Sequence, residues 1–295
     1  MNKLDAMQMF VRVAEAGSFI AVANQLQVAR SVVTRQIAAL EKHLGSKLIT
    51  RSTRSLTLTA AGSAYLEKCR VILNMVDAAE STLAEEKAEP RGRIRLGLPL
   101  TFGLQVLTPK LLEFADAHPF IELMLDYSDQ RANLIEEGLD LSIRITSELQ
   151  PGDIVRKLGE VRLLTVAAPT YLKRYGEPRH PSDLRHHECL IYASDSPVTN
   201  WPYREGSRTH QVSVRGRIVA NNGHALTEAA ARGMGIARQP EFIVGPYIAQ
   251  KQVKVILKDY EDAPLGIYAV LPSNRYVPHR VSVLIEYLSK LIVKA

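Results

Sequence analysis

From Leu4 onward the apolar residues Leu4, Met7, Val11 and Ala14 recur at spacings of three and four, which predicts an amphipathic helix ended by Gly17. Ser18 is placed to cap a second, shorter helix, with Phe19, Val22, Ala23 and Leu26 on its buried face. After the turn Gln27-Val28-Ala29 the same periodicity returns in Val33, Ile37, Leu40 and Leu44 and stops at Gly45, predicting a third helix. From Lys47 to Thr59 the pattern changes to two short strands about a turn. Leu48, Ile49, Leu56 and Leu58 face inward, and Arg51 and Arg54 sit near the tip. Two helices joined by a tight turn and followed by such a hairpin predict a winged helix-turn-helix.

A different pattern begins at Thr59, a candidate N-cap. Residues 60 to about 87 hold no proline and no glycine beyond Gly62, and end before Pro90-Arg91-Gly92. About 28 residues at 1.5 Å each make a helix about 42 Å long. Its apolar positions Tyr65, Cys69, Ile72, Val76, Ala79 and Leu83 are spaced four, three, four, three, four, a heptad seam. With no intrachain partner nearby, the seam is expected to pair with its copy in a second subunit; packing on the chain's own C-terminal region is the alternative. On the first reading Cys69 is a seam residue and not a redox switch.

Past Gly92 the segments alternate. Ile94–Leu98, Ile121–Tyr127 and Leu139–Ile145 read as strands, with helical stretches at Gly103–Ala117 and Gln130–Glu137. A second set has strands at Leu163–Ala168, Cys189–Ala193 and Val212–Ala220 and helices at Ala225–Arg232 and Glu241–Gln250. Strand Leu265–Leu271 and helix Pro278–Ile292 close the chain. Such alternation predicts α/β units around a mostly parallel sheet.

Composition narrows the class. With 295 residues, 46% hydrophobic, 23% charged and 6% aromatic, the chain is long enough for about two domains and unlike a disordered or collagen-like one. No apolar run reaches the roughly 18 residues of a membrane span, and Met1 to Ala6 lacks the order of a signal peptide, so a cytoplasmic protein without a membrane partner is expected. Cys69 and Cys189 are too few for a disulfide framework. The net charge of +6 is uninformative until it is divided. Residues 1–60 carry a net +5, residues 61–90 a net −3 and the remainder +4, so a basic head precedes an acidic stalk.

That distribution bears on the third predicted helix, where Arg30, Ser31, Thr34 and Arg35 point away from the apolar stripe within the first two turns. An isolated face of this kind is ordinarily solvated. Beside a wing carrying Arg51 and Arg54 it instead suits a major groove, arginine matching guanine O6 and N7 and the wing reaching phosphates or the minor groove.

Phe10-Val11-Arg12-Val13-Ala14-Glu15-Ala16-Gly17-Ser18-Phe19, then Ser31 to Glu41, then Leu48 to Gly62 with Arg51, Arg54, Leu58-Thr59 and Ala61-Gly62, resembles the LysR-type transcriptional regulators. The match is dense over residues 1–62 and looser to the end. Departures are Ala29 at the usual serine cap of the recognition helix, Arg30 for a common glutamine, Thr34 for serine and Ile49 for an aromatic. The missing cap costs about 1 kcal/mol. The candidate DNA-contacting set is Ser18, Arg30, Ser31, Thr34, Arg35, Gln36, Arg51 and Arg54.

The resemblance implies a fold of three parts: a winged helix-turn-helix over 1–59, a linker and dimerisation helix over 60–90, and an effector-binding domain over 91–295. The last is expected to be a two-lobed α/β domain of periplasmic-binding-protein type, lobe I at about 91–161 and 267–295 and lobe II at about 162–266. Ligands in open α/β sheets lie beyond strand C-termini, here between the lobes. Candidate ligand residues are Leu100, Thr101 and Phe102 after the first strand, Arg144 and Thr146 at a strand end, the aromatics Trp201 and Tyr203, and Asn221 and Asn222 in the other lobe. For Thr101 and Asn222 capping is the plain alternative, and for the aromatics core or rim packing. The expected partners are promoter DNA with an interrupted inverted repeat, a small-molecule effector such as a small organic acid, RNA polymerase, and further copies of the chain as a dimer and a tetramer.

No catalytic constellation emerges. There is no Gly-x-Ser-x-Gly elbow and no phosphate loop, and Gly233-Met234-Gly235 is too short for a dinucleotide fingerprint. His186-His187-Glu188-Cys189 places four potential ligands in a row, but neighbours cannot all converge on one ion. A non-enzyme without cofactor or metal is therefore expected. The competing class is a ligand-independent DNA-binding regulator whose C-terminal domain only mediates oligomerisation.

Overall fold

The computed structural model describes residues 2–51, 56–81, 89–130, 134, 137–150, 153–192, 198–272 and 277–292. Helix α1 (Lys3–Ala16) is capped by Asn2, whose Oδ1 accepts from the Leu4 amide at 3.1 Å, and ends at Gly17 with φ +60°. Ser18 Oγ accepts from the Ala21 amide and starts α2 (Phe19–Gln25). Helix α3 (Arg30–Leu44) begins at Ala29 with no side-chain cap and ends at Gly45 with φ +64°. The wing follows as antiparallel β1 (Ile49–Arg51) and β2 (Leu56–Leu58), Ile49 opposite Leu58. Thr59 Oγ1 donates to the Lys47 carbonyl and accepts from the Gly62 amide, opening α4 (Ala60–Ser81). A Cβ at Gly62 would overlap the Leu48 carbonyl oxygen, so this junction requires glycine.

Two features of the head depart from the apolar pattern. The deepest stripe of α1 is Ala6, Met9, Phe10 and Val13, while Leu4 is 37% exposed and Met7, Val11 and Ala14 are partly buried. The helix is apolar on more than one face because it is covered from two sides, by α3 and by α4. For the same reason the first turns of the α4 seam find an intrachain partner: Leu66 and Cys69 are buried in the head core and Tyr65 packs 5.8 Å from Phe10. The expectation that Cys69 faces a second subunit is thereby corrected. Ile72 and Met75 stay exposed; the Ala79 side chain and Leu83 lie outside the described residues.

The rest of the chain forms two α/β lobes. The first contains β3 (Gly92–Leu98), α5 (Leu100–Phe102), a π turn (Gly103–Leu107), α6 (Thr108–Ala117), β4 (Ile121–Tyr127), β5 (Leu141–Thr146) and β6 (Ile154–Val161). The second contains β7 (Leu163–Ala167), α7 (Pro169–Tyr175), β8 (Cys189–Tyr192), β9 (Val198–Glu205), β10 (Arg208–Arg215), β11 (Ile218–Ala220), α8 (Gly223–Ala231), β12 (Ile236–Pro240), α9 (Glu241–Ala249) and β13 (Lys254–Ile256). The chain then returns to the first with β14 (Leu265–Leu271) and α10 (His279–Ile292). The sheet orders are β4-β3-β5-β14-β6 and β11-β8-β12-β7-β13.

Among the described residues each sheet joins two parallel and two antiparallel pairings, so the sheets are mixed and not mostly parallel. In the first sheet the cause is the return of the chain, β14 inserting between β5 and β6 and running against both; in the second, β7 runs against both β12 and β13. The expected strand Val212–Ala220 is broken at Gly216, which presses on the Cys189 carbonyl, and its halves belong to different sheets. Its first half pairs with β9 in a hairpin that buries Trp201, Tyr203, Val212 and Val214. Of the expected helix Gln130–Glu137, residues 131–133, 135 and 136 lie outside the described set, and Gln130, Leu134 and Glu137 stand in bends and turns.

An ionic cluster ties the head to the first lobe. Arg93 at the start of β3 meets Glu15 of α1 at 2.5 Å and Glu122 of β4 at 3.1 Å, while Arg70 of α4 bridges Glu15 and Glu67. Among the described residues no single helix is long and apolar enough to cross a membrane.

Candidate functional site

The outward face of α3 is built as the periodicity requires. Arg30, Ser31 and Arg35 are exposed and Thr34 is half-buried, opposite the buried Val33, Ile37 and Leu40. Gln36 is turned further in, and its Oε1 is enclosed without a hydrogen-bond partner. Ser18 spends its hydroxyl on capping α2. Arg54 and the side chain of Arg51 lie outside the described residues. Glu41, on the opposite face of α3, was not singled out by sequence and fixes the wing. Its carboxylate accepts from the Leu48 and Ile49 amides at 3.0 and 3.2 Å and from Lys47 Nζ at 2.7 Å. Burial pushes the Glu41 pKa up, but the hydrogen bonds from Lys47, Leu48 and Ile49 outweigh it and hold the group below its ordinary value.

A cleft of about 480 Å³ opens between the two sheets. Of the sequence-derived candidates, Thr101, Phe102, Arg144, Thr146 and Trp201 line it. The other four stand elsewhere. The Leu100 amide donates to Asp129 Oδ1 at 2.9 Å. Asn221 is exposed beside the α8 cap. Asn222 caps α8 through Oδ1, accepting from the Ala225 amide, while its Nδ2 crosses to the other lobe and donates to Thr101 Oγ1 at 3.3 Å and Asp129 Oδ2 at 3.4 Å. Tyr203 is 2% exposed and sits behind the cleft wall, its hydroxyl 2.9 Å from Thr165 Oγ1 and its pKa raised by burial.

Most of the lining was missed by sequence reading, and among the missed residues Asp129, Arg238, Gln239 and Phe242 carry the charge, amide and aromatic groups nearest the junctions. The signal for Arg238, Gln239 and Phe242 was a third strand-to-helix junction, Ile236–Pro240 into Glu241, hidden because the stretch is too short to show a period. Phe242 meets Phe102 across the cleft, ring centroids 5.0 Å apart. The His186-His187-Glu188-Cys189 run is structural in its contacts. Tyr171 Oη lies 3.3 Å from His187 Nδ1 and accepts from the Glu188 amide, and Cys189 is buried, its pKa pushed up to about 12 by burial. Among the described residues no group of metal-ligating side chains converges.

A winged helix-turn-helix with arginines outward on its recognition helix, followed by a linker helix and two α/β lobes around a cleft, defines a DNA-binding regulator carrying an effector-type domain. The chain belongs to the LysR family. The family's bacterial regulatory helix-turn-helix model matches residues 4–63 and its substrate binding domain model residues 87–292. A helix-turn-helix transcriptional regulator of Haemophilus influenzae is 32% identical over 96% of this chain and 98% of its own. The regulator DmlR of Escherichia coli is 32% identical over 97% and 93%. The solved structure of CrgA, a LysR-type transcriptional regulator from Neisseria meningitidis, is similar with a TM-score of 0.61 at 29% identity, covering 97% of this chain and 98% of that one. The protein is thus a LysR-type DNA-binding transcriptional regulator with a substrate-binding domain.

Proposed function

We propose that the protein binds an interrupted inverted repeat in promoter DNA as a dimer, through Arg30, Ser31, Thr34 and Arg35 of α3 with Arg51 and Arg54 of the wing, and that a small organic acid in the inter-lobe cleft tunes this binding. The observation that carries the reading is the exposed Arg30, Ser31 and Arg35 face, held against a wing by Glu41. Two such helices related by a two-fold axis require half-sites about one helical turn or a multiple apart. Ile72 and Met75, exposed on α4 beyond the head, supply apolar surface for the subunit contact. On this reading the protein acts in the cytoplasm on the nucleoid, assembles further into tetramers, contacts RNA polymerase when activating and is not an enzyme.

A mobility-shift titration on the promoter region tests the head. Arg35→Ala is expected to weaken specific binding by about 1–3 kcal/mol, the worth of a bidentate base contact. Arg54→Ala is expected to weaken all sequences alike and to flatten the salt slope by about one unit. Arg35→Ala binding as tightly as wild type overturns the recognition-helix assignment. A footprint unchanged by metabolite extracts would replace the cleft reading with a ligand-independent regulator.

A further inference from the structure

The charge of the C-terminal region is as unevenly spread as that of the whole chain. Residues 91–161 carry a net −3, residues 162–217 a net +4, and residues 218–266 balance. The basic stretch contains the β9–β10 hairpin, a two-stranded sheet separate from both five-stranded sheets. Residues directly opposite one another in such a hairpin point the same way, so its register sorts the side chains by face. Trp201, Tyr203, Val212 and Val214 share the face buried in the lobe. The other face presents Asn200, Arg204, Thr209, Gln211, Ser213 and Arg215, all exposed. No acid and no aromatic residue stands on it.

Arg204 stands opposite Thr209 and Arg215 opposite Val198, six residues back along β9, so at about 3.3 Å per residue the two arginines are about 20 Å apart. Neither side chain has a hydrogen bond or an ion pair among the described residues. The described acids of the same stretch are engaged elsewhere. Glu205, on the other face, lies 3.5 Å from His210, and Glu177 pairs with Lys254 at 2.6 Å. Asp183 accepts from the Arg179 and His180 amides and Glu188 from the Arg217 amide; Asp195 lies outside the described residues. A protein partner is gripped through apolar and aromatic anchors, and aromatic ones this face lacks. Arginines set among short amide and hydroxyl side chains are instead the groups that hold phosphates without reading bases. A duplex carries one charge per about 1.7 Å of its axis, so one laid along the hairpin meets both arginines. The head tethers the chain to DNA, which raises the concentration of phosphates around the rest of the molecule. We propose that the outward face of the β9–β10 hairpin is a second DNA contact, Arg204 and Arg215 holding the phosphate backbone of the duplex that flanks the operator. The inference rests on the head binding operator DNA and requires no ligand in the cleft.

Two duplexes centred on the operator mapped by footprinting separate this contact from that of the head. One ends at the half-sites and the other runs about two helical turns beyond each. The full chain is titrated on both by mobility shift over a range of salt. Wild type is expected to bind the longer duplex more tightly and with the steeper salt slope. Arg204→Gln with Arg215→Gln is expected to bind the longer duplex roughly 10- to 100-fold more weakly, with a slope flatter by about two units for each chain engaged. On the shorter duplex it should match wild type, and its Tm should be unchanged because both positions are exposed. Arg204→Lys with Arg215→Lys keeps the charge and is expected to recover most of the loss. Arg35→Ala weakens both duplexes alike, so a failure of the recognition-helix assignment is read separately. Wild type binding the two duplexes with the same slope, or the glutamine variant matching wild type on the longer one, overturns the proposal. Loss of polymerase-dependent transcription in a glutamine variant that still binds both duplexes as wild type does would assign the face to an acidic protein surface instead. An equal loss on both duplexes overturns the flanking contact as well.

Discussion

Glu41 holds together two parts of the head through a single carboxylate. Glu41→Ala strips the acceptor from the Leu48 and Ile49 amides and is expected to cost about 2–3 kcal/mol in urea unfolding, since buried donors are left unpaired. Because its folded pKa lies below the ordinary value of 4.5, the ionised carboxylate stabilises the head above that pH, and the contribution is lost as pH falls through the folded value. The difference in Tm between wild type and Glu41→Gln should accordingly be full near about pH 7 and shrink in acid. At this scale the readable residues were those whose role is local. Gly17, Ser18 and Gly45 act on amides and dihedrals within a turn of themselves, so their types and spacing suffice. Arg238 and Gln239 were unreadable because what brings them to the cleft is the end of β12 beside two helix starts, a property of folded neighbours.

The elements were legible where one periodicity dominates. All three head helices, the wing, α10, β4 and β14 fall where the pattern places them, within a residue or two. Helix α4 was legible as a helix and misread in its packing, because a heptad seam names the face that is buried but not what buries it; Phe10 and its neighbours do so over the first turns. The β9–β10 hairpin went unseen because Trp201 and Tyr203 were weighed singly, as ligand aromatics or as core or rim packing, and not together as the inward positions of an alternating strand. At this scale Asn222 has two duties that substitutions separate. Asn222→Ala removes the α8 cap and is expected to cost about 1 kcal/mol in urea unfolding. Asn222→Asp keeps the cap acceptor but loses the donor to Thr101 and sets a charge beside Asp129. It is expected to retain most of the stability while hydrogen exchange over residues 100–102 and 222–226 rises; unchanged exchange would show that the crossing bonds do not hold the lobes.

Across the whole molecule, charge was the most informative sequence quantity and also the most incomplete one. Dividing +6 into a basic head and an acidic stalk located the DNA-directed part, yet gave no hint that Glu15, one of three acids in that head, is ion-paired to Arg93 of the first lobe. The pairs are partly exposed, so Glu15→Gln with Arg93→Gln is expected to cost about 1 kcal/mol or less. It should also reduce the fall in Tm on adding salt, read by calorimetry of wild type and double variant side by side. The mixed order of the first sheet was beyond the strand pattern, although the resemblance assigned residues 267–295 to the same lobe: β14 enters that sheet from about 120 residues downstream of β5, and strand patterns carry no address. The Glu15–Arg93 contact also has a mechanical meaning. A body attached to another at a single point swivels about it, whereas one attached at two points must turn with it. Through Glu15 helix α1 meets Arg93 of β3 and Arg70 of α4 at once, so the helix that braces the recognition helix is held at one carboxylate to both the first lobe and α4, across only a few side chains.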